Sequence, residues 1–187
     1  MELGVFEIPG ELRDEMRGRS WRDAEACPRF EQLRLLRLAY RGFDGGVHLG
    51  ELVVHADVAG AVAVVFERIF AADFPIASLR RIDAFGGDDD ASMAANNSSG
   101  FNYRTIDGTT KLSRHALGLA IDINPLQNPW LRGDRVDPVA GRAYLDRAHV
   151  RPGMIVRPGP VVEAFEAAGW KWGGDEASPD FHHFSKS

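Results

Sequence analysis

His115 stands seven residues before Asp122, and Asp180, His182 and His183 follow near the end of the sequence. Imidazole nitrogens and carboxylates are the groups that hold metal ions and move protons. Residues 113–125 turn at Gly118 and then alternate. Leu119, Ile121 and Ile123 fall on one side, and Ala120, Asp122 and Asn124 on the other, the pattern of a half-buried strand. A carboxylate on such a strand is costly unless positive charge sits beside it. A metal ion is one such charge. Zinc in a catalytic site takes three protein ligands and keeps a fourth position for water. His115, Asp122 and one of the two terminal histidines make such a set. Zinc lowers the pKa of bound water toward ~7, and a second carboxylate must then shuttle the proton to the leaving amine. Asp180, three residues before His183, stands where that carboxylate is needed.

Each piece alone has a plainer explanation. A lone histidine before a strand is usually structural, Asp122 alone could pair with an arginine, and histidines near a chain end often sit in a frayed tail. The conjunction is what points to chemistry. Trp170, Trp172, Phe181 and Phe184 surround the tail and are expected to anchor it by burial. His48, His55 and His149 have no comparable context.

The elements that must position these residues read as a mixture of helices and strands. Residues 9–18 form a short helix opened by Pro9, Ser20 caps the next turn, and Trp21 packs. Residues 35–40 and 50–55 form an antiparallel pair across the loop 43–46. Asp57 is the expected N-cap of a helix over 58–72, with Val58, Val62, Val65, Phe66 and Ile69 on its buried stripe. Residues 78–85 and 101–104 read as strands, and Asp107-Gly108 as a turn. The triplet Asp88-Asp89-Asp90 lacks the spacing of a calcium loop and reads as a solvated helix start. Residues 125–159 form an irregular excursion, and 160–168 a helix closed by Gly169.

The 187 residues are 44% hydrophobic and 26% charged, which fits one globular domain. A net charge of −5 with no Lys/Arg block argues against nucleic acid as a partner. The longest apolar run, 58–66, contains Gly60 and is too short to span a bilayer. Cys27 is the only cysteine, so no intrachain disulfide forms, and it reads as a small packing residue. The first residues lack the pattern of a signal peptide. The expectation is a cytoplasmic product that reaches any outside target by lysis or another export route. Its oligomeric state is open.

The set Ser113, His115, Gly118, Ala120 and Asp122 resembles the Ser-x-His-x-x-Gly-x-Ala-x-Asp motif of the M15 metallopeptidases. These are the D-alanyl-D-alanine carboxypeptidases and L-alanyl-D-glutamate endopeptidases. Their second motif, an acid three residues before a histidine and then an aromatic residue, is similar to Asp180-Phe181-His182-His183-Phe184. The likeness extends over 74–76, 86–93, 96–97, 101–104 and 124–125, covers about 70–185 well, and is less specific over 1–70. It implies an α+β fold of the hedgehog/DD-peptidase kind, a small antiparallel sheet with flanking helices, and Zn2+ in a groove on that sheet. It further implies His115, Asp122 and His183 as ligands, Asp180 as general base and Ser113 as a residue orienting a ligand. The implied substrate is a peptidoglycan stem peptide cut at a bond involving a D-residue. The alternative is a non-catalytic zinc or peptidoglycan-binding module. Two positions depart from the family's pattern. Where relatives carry an arginine that polarises the scissile carbonyl, this chain has Phe85-Gly86-Gly87-Asp88, so Arg104, with Arg81 behind it, is the candidate for that role. Against it stands a plain salt bridge from Arg104 to the 88–90 triplet. Glu176 occupies the region where relatives often have tryptophan.

Overall fold

The two longest strands, β2 (Leu33–Arg41) and β3 (Val47–His55), pair antiparallel around the turn at residues 42–46. The structure is a computed structural model that describes residues 2–187. The run Leu33, Leu35, Leu36 and Leu38 lacks clean alternation because both faces of this pair are covered. Leu36, Leu38, Leu52 and Val54 pack on helix α2 (Ala56–Ala71), and Leu33, Leu35 and Val53 pack in a second cluster. That second cluster includes Leu12 and Met16 of helix α1 (Gly10–Met16) and the stacked pair Trp21 and Phe30. A four-residue strand, β1 (Gly4–Glu7), adds to the free edge of β2. Its alternating exposure is too brief to stand out in the sequence.

Three further short elements follow: helix α3 (Asp89–Ala94), strand β4 (Ala120–Asp122) and a hairpin of β5 (Trp130–Arg132) with β6 (Arg135–Asp137). Helix α4 (Pro160–Ala167) starts on proline and ends before Gly169, whose φ of +75° suits a residue without Cβ. Strands β7 (Lys171–Trp172) and β8 (His183–Ser185) then complete a second antiparallel sheet of order β4–β8–β7. Ile121 of β4 faces Phe184 of β8, and Phe184 stacks on Phe165 of α4 with ring centroids 4.1 Å apart. Trp170 and Trp172 are buried beside them. The tail is therefore a central strand, and the aromatic packing that the sequence implied holds it in place. The architecture is α+β with small antiparallel sheets and flanking helices, though the strands divide into two three-stranded sheets and a hairpin. Among the described residues no helix is long and apolar enough to cross a membrane.

Several local expectations are corrected. Residues 78–85 are not a strand: Ile82–Phe85 is a 3-10 turn that carries Asp83 inward onto Ser20 Oγ at 2.6 Å. Ser20 is thus a buried partner and not a cap. Residues 101–104 are extended without a ladder, because successive amides go to different elements. Phe101 N donates to Val53 O, Asn102 N to His115 O and Tyr103 N to Ser20 O. The cap of α2 is His55, whose Nδ1 accepts from Asp57 N at 3.3 Å, so Asp57 lies in the first turn. Within 125–159 the excursion contains the β5–β6 hairpin and a 3-10 stretch, Val139–Tyr144.

Candidate metal centre

The second sheet brings the two motifs together by register. Asp122 on β4 pairs with His183 on β8, so both side chains leave the sheet on the face opposite Ile121 and Phe184. His115 arrives from the 3-10 turn Arg114–Leu117. Ser113 Oγ accepts from His115 N at 3.2 Å and caps that turn, so it positions His115 through the backbone. Gly118 ends the turn at φ +69°, and a Cβ there would lie 2.5 Å from His55 N. Only glycine lets the turn lie this close to β3. Gly173 does similar work at the tail: Asp180 N donates to its carbonyl at 3.0 Å, and a Cβ would meet Asp180 and His183.

The ligand atoms of His115, Asp122 and His183 all lie within 4.8 Å of one another. His115 Nε2 is 3.0 Å from Asp122 Oδ2, and His183 Nδ1 is 2.9 Å from Asp122 Oδ1. His115 Nδ1 donates to Gly100 O at 2.6 Å. That bond fixes the tautomer and turns the lone pair of Nε2 toward the cluster, the arrangement of a metal-ligating histidine. Two imidazole nitrogens and a carboxylate oxygen suit zinc, and three ligands leave a position open. The donor set fits the metal.

Charge in this cluster is strongly perturbed. Burial disfavours an ionised Asp122, yet His115 and His182 beside it hold its carboxyl well below the usual carboxylate range. Burial depresses His183, but Asp122 outweighs that and raises it to about 9. Asp180 sits in the same groove, and burial pushes its carboxyl up. Its Oδ1 lies 3.0 Å from His182 Nε2 but off the hydrogen-bond direction, and has no hydrogen-bond partner among the described residues. An orphaned, buried carboxylate oxygen is costly unless something else meets it, such as water or a substrate proton.

His182 is the residue that sequence reasoning set aside. It is buried, its Nδ1 donates to Asn128 O at 2.8 Å, and its Nε2 faces Asp180. The doubled histidine was the only signal for it. Arg104 lines the groove and pairs with Asp89 at 2.8 Å, so the salt-bridge alternative and the groove position both hold. Asp89 is drawn inward by this pair, although Asp88 caps α3 as a helix-start residue does. Arg81 is elsewhere, held by Glu15 and Glu51 at 3.0 and 2.9 Å. Glu176 lines the groove, whose volume is about 270 Å³.

Residues 107–186 match the family model described as D-alanyl-D-alanine carboxypeptidase. This similarity supports the M15 peptidase family over that segment. The match spans fewer than half of the residues but includes His115, Asp122, Asp180 and His183. Comparisons with curated proteins and with solved structures returned no match. The match supports a peptidase, and a His–Asp–His group able to hold a metal, buried at His115 and Asp122 and half-buried at His183, lies inside the matched segment.

Proposed function

We propose that the protein is a zinc-dependent peptidase that hydrolyses peptidoglycan stem peptides at a bond involving a D-amino acid. The observation that carries this reading is the convergence of His115, Asp122 and His183, with Asp180, its Oδ1 buried, in the same groove. Zinc held by these three residues would supply Lewis-acid activation of water and of the scissile carbonyl. Asp180 takes the proton of the attacking water and returns it to the leaving amine. Its burial favours the protonated form, which brings its proton affinity closer to that of a working acid–base group. Arg104, on the groove wall, is the candidate donor to the oxyanion, and Asp89 fixes its guanidinium. His183 must be neutral to ligate, so the proton that Asp122 holds on it leaves as metal binds.

The test is to measure bound metal in the purified protein and to analyse digested peptidoglycan fragments by mass spectrometry. Zinc with a new product at a D-residue bond is expected. A protein that holds zinc and binds wall fragments but cleaves none of them would be a binding module instead.

A further inference from the structure

An ion cluster at the mouth of the groove takes no part in the chemistry above. Arg132 and Arg135 of the β5–β6 hairpin share two carboxylates, Asp137 of β6 and Asp107 of the turn at 107–108. Arg132 Nη2 lies 2.7 Å from Asp137 Oδ2 and 2.8 Å from Asp107 Oδ2. Arg135 Nε lies 2.8 Å from Asp137 Oδ2, and its Nη1 is 3.2 Å from Asp107 Oδ2. All four residues line the groove that holds the His–Asp–His group. The hairpin is fixed beside the proposed base: Trp130 bridges to Asp180, and Leu131 N donates to Pro179 O at 2.8 Å.

Two guanidinium groups against Asp137 leave one positive charge over, and Asp107 balances it. The two carboxylates are not equivalent. The Asp137 side chain is 11% exposed, whereas that of Asp107 is 59% exposed and stands on a turn. An ion pair with a carboxylate this exposed contributes little to stability, so exchanging Asp107 for another carboxylate costs little. Arg132 also has a spare donor. Its Nε is buried and has no hydrogen-bond partner among the described residues. The guanidinium is held over the Trp130 ring, 4.1 Å from its centroid. A carboxylate lying edge-on along Nε and Nη2 would satisfy both donors, the bidentate geometry that guanidinium favours. Asp107 reaches Nη2 alone.

We propose that Arg132, assisted by Arg135, is a subsite for a substrate carboxylate, and that Asp107 occupies it until substrate arrives. The proposal rests on the peptidase reading and sharpens it. The carboxylate that every linear peptide carries at a fixed distance from its last bond is its C-terminus, so the subsite favours carboxypeptidase action. An acidic side chain offers the same chemistry, and the experiment separates the two.

The probes are an N-acetylated peptide ending in two D-alanines, as free acid and as C-terminal amide, and an amide ending in D-glutamate. Binding to the metal-stripped protein is read by calorimetry, and hydrolysis by the zinc-loaded protein is read in parallel. The free acid is expected to bind about 10-fold more tightly than the D-alanine amide, as one charge-assisted bidentate pair allows. Arg132→Gln should abolish that preference. Asp107→Asn, on an exposed turn, should strengthen binding of the acid about 3-fold by removing the internal competitor, and leave the amide unchanged. Tight binding of the D-glutamate amide would support the subsite and assign it to a side-chain carboxylate. Equal binding of acid and amide, or weaker acid binding by Asp107→Asn, would overturn the proposal. A preference for the acid with no hydrolysis of any peptide would leave the subsite standing and remove the peptidase reading. Hydrolysis without any preference would do the reverse.

Discussion

Asp122 and His183 face each other across the β4–β8 ladder, with His183 Nδ1 2.9 Å from Asp122 Oδ1. A single strand pairing thus joins residues that are sixty-one positions apart in the chain. The same register sends Ile121 and Phe184 into the core, so the packing that stabilises the sheet also sets the ligand spacing.

This pair makes the metal-free protein sensitive to pH. His183 is raised from 6.5 to about 9, so its contribution to stability is fully present below 6.5 and is lost as pH rises through about 9. Asp122 is lowered from 3.8, so its contribution is present above 3.8 and is lost on acidification through its lower folded value. Melting of the metal-stripped protein should show a plateau between about pH 4 and 6.5 and a decline toward pH 9. Zinc should flatten the alkaline side, because the ligating histidine is already neutral. A metal-free melting temperature that rises between pH 6.5 and 9 would contradict this pairing.

Gly118→Ala tests how His115 is delivered. The turn requires φ +69°, and the added Cβ would meet backbone at 2.5 Å. A cost of about 3 kcal/mol is expected from the left-handed conformation and the clash together, which lowers Tm by roughly 6–12 °C in a chain of this size. Thermal melting checks it. A loss below one degree would show that the turn can move away from β3.

His182→Ala tests the residue that stands next to Asp180. Its Nδ1 is anchored on Asn128 O and its Nε2 lies 3.0 Å from Asp180 Oδ1. Removing it should lower kcat by about 10–100-fold, as loss of an outer partner of a metal site does, while zinc content holds. In an Asp180→Ala background the second substitution should add little, because both act on one proton transfer. Full additivity in that double-mutant cycle would assign His182 to packing.

Arg104→Met should reduce kcat far more than it raises KM, by about 100-fold or more if the guanidinium meets the oxyanion. Asp89→Asn removes only the partner that fixes Arg104 at 2.8 Å, and should cost much less. If the two variants lose the same activity, the pair is a structural bridge and the oxyanion donor lies elsewhere.

Much of the site was legible because its signals are local in type even where they are distant in space. The Gly118 turn, the alternation through Asp122 and the aromatic ring around the tail each state a backbone requirement. The core-facing stripe of α2 and the β2–β3 pair were legible for the same reason. Residues 78–85 and 101–104 were misread because their backbone partners come singly from several elements, which no local period records. His182 and Asp89 were hidden because their burial depends on Asn128 and Arg104, contacts made only in the folded chain. The hairpin at β5–β6 has three-residue strands and little alternation to betray it.

In the proposed reaction His115, Asp122 and His183 hold a zinc ion that Asp180 serves. The most direct measurement strips the metal, adds zinc back in fractions of an equivalent and follows both occupancy and peptide cleavage, for wild type and Asp180→Ala. Wild-type cleavage is expected to rise in proportion to occupancy and level off at one equivalent. Asp180→Ala should bind the same single zinc and lose about 100-fold or more in rate, as removal of a general base does. Wild-type rate from zinc-loaded Asp180→Ala, or cleavage that ignores zinc occupancy, would contradict the account.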